Sequence, residues 1–175
     1  MRIFNLIMLT IILIACSKDD TTEHNLNLNS QELVTGIRIL DETGQTMIHY
    51  GNPCDKTRIP ELDISTAFYP NPTSDYLLIH SSANITGVWL IKGQISKQFT
   101  NTDFTNYYSN NSIDTTGMSE LNILANSAFN EIIDVSMFSG YHKIIMEIND
   151  TELVWSTLYF SRDANVFDMI EAEWK

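Results

Sequence analysis

The chain is poor in the residues that staple small secreted domains or build cofactor loops. Two cysteines in 175 residues, Cys16 and Cys54, exclude a disulfide framework. Seven dispersed glycines leave no phosphate-cradling loop, and no GxSxG, HExxH or CxxC pattern occurs. Lysine and arginine total 10 against 22 aspartates and glutamates, and the resulting charge of −12 repels nucleic acid and anionic head groups. Long apolar runs are missing as well. The one present, Leu6 to Ile14 with Thr10 inside it, is shorter than the about 20 residues a membrane-spanning helix needs. Stability must therefore come from the packing of a single domain of ordinary size.

What is present begins at the N-terminus. Arg2, the apolar run and small Ala15 lead directly to Cys16, and this arrangement resembles a bacterial lipobox. The resemblance implies a signal peptide over residues 1–15 and lipid on the Cys16 thiol; no cofactor is expected, because no cofactor-binding pattern occurs. Two or three acyl chains hold a protein at a membrane durably. With Cys16 lipidated, Cys54 has no intramolecular partner, and removal of Arg2 takes the balance to 9 cations against 22 anions. Ser17-Lys18-Asp19-Asp20 is similar to the Lys/acidic signal that sends lipoproteins to the outer face of the outer membrane. Residues 16–31 are polar and without aromatics, the composition of a tether, and one domain is expected over 32–175.

From Leu33 onward, short β-prone runs alternate with turn residues at the spacing of a β-sandwich. Val34–Leu40 and Thr46–Tyr50 flank Asp41-Glu42-Thr43-Gly44 and predict a hairpin with Gly44 in a left-handed position. Further strands are predicted over Tyr76–His80, Thr86–Ile91, Gln94–Phe99, Glu131–Val135, Tyr141–Ile148 and Leu153–Phe160. Period-2 alternation puts Leu77 with Ile79, and Ile144 with Met146 and Ile148, on inward faces. Met118, Leu121, Ala125 and Ala128 fall near helical spacing behind Thr116 or Ser119. Val166, Phe167, Ile170 and Trp174 form one apolar stripe behind Asp163, predicting a short C-terminal helix. The expected fold is all-β: an immunoglobulin-like antiparallel sandwich of about seven strands with an N-terminal hairpin and that helix.

Tyr69-Pro70-Asn71-Pro72-Thr73-Ser74-Asp75-Tyr76-Leu77-Leu78-Ile79 resembles the opening of the C-terminal sorting domain of type IX secretion cargo. The two prolines favour extended geometry at Tyr69 and Asn71, and Asn71 is expected to close a side-chain turn that starts the strand. Two further blocks follow in the family's order: Gly93-Gln94-Ile95, then Ile133 to Ser139 running into Gly140-Tyr141. The resemblance covers about residues 68 to 161 and implies a seven-stranded sandwich. No separate effector fits between Cys16 and Tyr69, so the domain reads as the retained body of a lipoprotein.

Catalytic patterns are absent. His24, His49, His80 and His142 are scattered, which gives metal no support and suits surface or strand-lining side chains. Cys54 lies beside Asp55 and Lys56 without a base at a recognisable spacing and reads as a loop or half-buried thiol. Between Phe99 and Ser112, Phe104, Tyr107 and Tyr108 alternate with Asn, Ser and Thr, a chemistry used by binding loops and equally by aromatic pairs across a strand ladder. The expected function is a surface-anchored, non-enzymatic binding or accessory module. Its partners would be the membrane, through lipid, and an outer-membrane protein or a surface glycan. Type IX cargo is the alternative. A small surface hydrolase is the third reading, because a carboxylate pair is defined by separation in space.

Overall fold

A computed structural model describes residues 32–101, 117–121 and 129–175. In chain order the strands are β1 (Leu33–Val34), β2 (Gly36–Leu40), β3 (Thr46–Gly51), β4 (Arg58–Ile59), β5 (Ile64–Tyr69) and β6 (Tyr76–Ser81). Next come β7 (Ile85–Lys92), β8 (Gln94–Ile95), β9 (Ser119–Glu120), β10 (Phe129–Asp134), β11 (Gly140–Ile148), β12 (Glu152–Phe160) and helix α1 (Val166–Trp174). The fold is the all-β sandwich expected from the sequence, with one short C-terminal helix. Two four-stranded antiparallel sheets, β10-β6-β5-β4 and β12-β11-β7-β9, enclose the main core. No helix among the described residues is long and apolar enough to cross a membrane.

Alternation decides which side chains meet. Phe68, Leu77 and Ile79 of one sheet face Val88, Leu90, Ile144, Met146 and Leu158 of the other, all essentially fully buried. The second sheet is covered on its outer face too. Trp155 and Ile145 pack there against Leu33 and Cys54, while Tyr141 and Tyr159 pack against Ile37 and Ile39 of β2 and Ile170 of α1. The β2–β3 hairpin thus belongs to the body of the domain. Its tip closes on Gly44 at φ +79°, and the ladder is bulged between Ile39 and Leu40.

From Trp155 onward the outer edge of β12 is paired, and side chains pair its middle. Trp155 exchanges backbone hydrogen bonds with Lys56 at 2.9 and 3.0 Å, and Tyr159 O and Ser161 N bond Thr73 at 3.1 and 3.0 Å. Between them, Thr157 N donates to the Asp55 carboxylate at 3.3 Å. Asn71 Nδ2 donates to Thr157 O at 2.9 Å, and Asn71 Oδ1 accepts from Tyr159 N at 2.9 Å. Asn71 Nδ2 also donates to Arg38 O at 2.6 Å, while the Asn71 backbone exchanges bonds with Leu40. One buried asparagine therefore fastens β2 to β12.

This corrects the expected local role of Asn71. Its amide spans two elements instead of closing a turn, because the Thr157 carbonyl and Tyr159 N that it meets on β12 are buried and need partners. Both bonds Tyr69–Pro70 and Asn71–Pro72 are cis. Other expectations shift as well. The strand foreseen over Gln94–Phe99 stops at Ile95, where β8 pairs in parallel with β1, and Lys97–Phe99 form a 3-10 turn. Ser119 and Glu120 pair with Leu90 and Trp89 of β7 and are not helical, since a sheet edge offered ladder bonds that a short Asn-rich helix could not match. Ala125 and Ala128 lie outside the described residues. Strand β5 was not foreseen, although Ile64, Thr66 and Phe68 alternate inward along it. In α1, Ile170 is buried and Val166 and Trp174 pack beneath, but Phe167 lies off the stripe and is 51% exposed.

Replacing Asn71 by Ala leaves Tyr159 N and the Thr157 carbonyl unmatched in the interior, and the Arg38 carbonyl unmatched in a half-buried position. At about 1–3 kcal/mol for each unsatisfied group, urea denaturation should show a loss of about 3 kcal/mol or more. Ser82→Ala removes an exposed bond to Ser65 N and should cost less than about 1 kcal/mol.

Candidate functional site

The tip of the β2–β3 hairpin stands on the Tyr69-Pro70-Asn71-Pro72 segment. A β-carbon placed on Gly44 would lie 3.0 Å from the Tyr69 ring, so the left-handed glycine also permits this seat. The Asp41 carboxylate organises the tip, accepting from Thr43 Oγ1 at 2.7 Å, Thr43 N at 2.8 Å and Gln45 N at 2.9 Å. The Thr43 hydroxyl first, then the Gln45 and Thr43 backbone, hold this carboxyl below its ordinary range.

Two clefts flank the tip. The first, about 460 Å³, is walled by Leu40, Met47, Pro70, Pro72, Val166 and Phe167. Met47 is 65% exposed there and Phe167 51%. Asp41, Glu42 and Asp163 rim it, together with Arg162, whose guanidinium bonds Asp75 at 3.1 Å and Ser136 O at 3.3 Å. Strand β3, beside this cleft, is the end strand of its two-stranded sheet.

The second cleft, about 530 Å³, lies across the tip and has Asp55 and Ser156 among its lining residues. The Asp55 side chain is 2% exposed, with Arg38 Nε at 3.4 Å from β2. Ser156 Oγ donates to it at 3.1 Å from β12, and Lys143 of β11, 2% exposed, adds positive charge nearby. Burial pushes the Asp55 carboxyl up to about 6, against the opposing pull of Arg38, Ser156, Thr157 and Lys143. Burial likewise pulls Lys143 down to about 8, with Cys54 and Asp55 opposing. Thr157, opposite Lys143 in the ladder, has a buried Oγ1 without a hydrogen-bond partner. Trp155 Nε1 donates to Cys54 O at 2.7 Å, and the Lys56 ammonium lies 5.3 Å above the Trp155 ring.

The sorting-like motif is divided among the seat of this hairpin, the main core and the outer face of the second sheet. Tyr69, Pro70, Asn71 and Pro72 form the seat of the hairpin, and Leu77 and Ile79 are fully buried in the main core. Gly93 N bonds Tyr141 O at 2.7 Å, and a β-carbon at Gly93 would come within 2.5 Å of Val34. These two motif glycine and tyrosine positions thus meet beneath β1. Gly140 takes φ +78° at the start of β11. Tyr141 stacks edge-on with Tyr159 at 4.6 Å and accepts from Trp174 Nε1 at 2.9 Å; burial raises its phenol pKa. Their roles are in packing, away from the two clefts except for Pro70 and Pro72.

Cys16, Ser17, Lys18, Asp19 and Asp20 lie outside the described residues, as do Phe104, Tyr107 and Tyr108. Cys54 is buried rather than half-buried. His142 is buried against Phe138 and Phe160, and burial lowers its pKa. Among the described residues no group of three or more His, Cys, Asp or Glu could hold a metal ion. Sequence reasoning missed Arg38, Arg58, Met47 and Phe167 as site residues. No spacing signalled them, and Phe167 read as part of the apolar stripe of the helix. Searches of known protein families, curated protein sequences and solved structures gave no match to this chain.

The Asp55 shift fixes the sign of a pH effect. Its folded pKa lies above the unfolded value of 3.8, so between the two the folded state binds the extra proton. Stability from this group is therefore greatest in acid and falls as pH rises. Relative to Asp55→Asn, the parent chain should lose up to about 1.4 kcal/mol per pH unit as pH rises from about 4 to about 6, read from urea midpoints.

Proposed function

We propose that the chain is a non-enzymatic binding module, held at the outer membrane by lipid on Cys16 and facing the cell surface. Its partner is a protein segment received at the Met47–Phe167 cleft. One observation carries the reading: two large apolar side chains from different elements, Met47 of the end strand β3 and Phe167 of α1, line one cleft and stand exposed. An end strand with an apolar flank is a ready template for strand addition. The rim carboxylates and the charge of −12 favour a partner segment bearing lysine or arginine and oppose a second copy of this chain.

The lipobox residues support the anchor. Cys16→Ser should abolish incorporation of labelled palmitate and move the protein from the membrane to the soluble fraction; retention of both would remove the anchor from the proposal. For the partner, detergent-solubilised membranes should yield a co-eluting protein with the parent chain. That protein should be lost with Met47→Asp or Phe167→Asp, while the melting temperature stays nearly constant because both side chains are exposed. Elution of the parent chain alone counts against the reading.

Type IX cargo is the second reading, favoured by Pro70 and Pro72 standing in the wall of an open cleft. Because β2 supplies partners to Asn71, a reporter fusion must carry residues 32–175. Translocon-dependent export of that fusion supports the cargo reading, and indifference to translocon loss removes it.

A further inference from the structure

The cleft on the other side of the hairpin tip has the opposite character to the chain as a whole. Arg38, Lys56 and Arg58 line it, three of the eight lysines and arginines among the described residues, in a protein of charge −12. One carboxylate, Asp55, shares the lining, and it is taken up by Arg38 Nε, Ser156 Oγ and Thr157 N. No carboxylate among the described residues lies within 4 Å of Lys56 or Arg58. Glu61 and Glu152 line the next groove on the far side of these two residues and pair with neither. Such a concentration of one sign against the global charge costs self-repulsion, which a bound anion relieves.

The geometry points to a binding site for an oxyanion-bearing saccharide, with Arg38, Lys56 and Arg58 as its anion contacts. Arg38 engages Asp55 through Nε on the inner side, its side chain remains 39% exposed, and a guanidinium presents further N–H groups in one plane for a second oxyanion. Lys56 is positioned over the Trp155 ring. In the remaining wall, beside Leu40, Ala67 and Phe68, Thr46 and Thr57 present hydroxyls, while Thr66 and Ser156 donate inward to Thr57 O and Asp55 and keep lone pairs to accept from the hydroxyls of a sugar. A volume of about 530 Å³ is in the range of small-ligand sites. The site shares the hairpin tip with the protein cleft, but its chemistry is separate, so either can fail without the other.

Asp55 adds a signature that adventitious surface charge lacks. It faces Arg38 from β2, Lys143 from β11, and Ser156 and Thr157 from β12. When this carboxyl takes up a proton near pH 6, Arg38 loses its internal counter-charge and the cleft gains one positive charge. Binding of an anion that stays ionised should therefore tighten as pH falls from about 7 to about 5, and Asp55→Asn should abolish that pH dependence.

The test uses the full chain in detergent, titrated calorimetrically at low ionic strength with galacturonate oligomers. Their neutral methyl esters, glucose 6-phosphate, inorganic phosphate and hexaglutamate serve as comparisons. We expect the acidic oligomer or the sugar phosphate to bind and the methyl ester to fail. Lys56→Gln and Arg58→Gln should each weaken binding about fivefold, with an unchanged melting temperature. Both positions are used because Arg38 substitutions also disturb Asp55. Equal binding of ester and acid overturns the proposal, as does parent-like binding by the double variant. Inorganic phosphate or hexaglutamate binding as tightly as the saccharides overturns it too, since that would be charge without a sugar site.

Discussion

The architecture hangs on the closing of one sheet edge. Strand β12 is the last strand of its sheet, yet none of its outward backbone groups from Trp155 to Ser161 is left to water. Backbone from Lys56 and Thr73 pairs the two ends, and the side chains of Asp55 and Asn71 complete the middle. Buried polar groups without partners cost more than their hydrogen bonds return, so this stretch tolerates little variation in geometry. An asparagine is suited to the centre because its amide donates and accepts at once, matching one carbonyl and one N–H of the same strand.

That closure determines where the hairpin sits. Asn71 is bonded to Leu40 by backbone and to Arg38 by side chain, so the same residue that caps β12 carries β2 and β3 with it. The packing of Ile37, Ile39 and Ile170 onto Tyr141 and Tyr159 then makes the hairpin and the helix a third layer over the sandwich. Its tip becomes a divide. On one side Met47 and Phe167 create an apolar cleft with an acidic rim; on the other Arg38, Lys56 and Arg58 create a basic one. Both clefts are by-products of where an asparagine anchors a loop.

Much of the fold could be read from the chain. The alternation at Leu77 and Ile79 and at Ile144, Met146 and Ile148 placed the inward faces, because a half-buried strand writes its orientation at period 2. Gly44 marked the hairpin turn, since few other residues occupy φ near +79° without strain. Strand β5 escaped notice because Ser65, Thr66 and Ala67 dilute its apolar signal, and β9 because two residues carry no period at all. The candidate sites were less legible than the fold. Arg38 and Asp55 are 17 positions apart in sequence, and Asp55 and Ser156 are 101 apart; no spacing rule connects them.

The sequence by itself determined the lipobox-like start at Cys16, the acidic balance and the β-sandwich, because these rest on local order, composition and periodicity. The tertiary structure decided the meaning of Asn71, the two faces of the hairpin tip and the pairing of buried Asp55 with Arg38. Each of these depends on which distant backbone groups are desolvated together, and desolvation is a property of the packed chain that no local window contains.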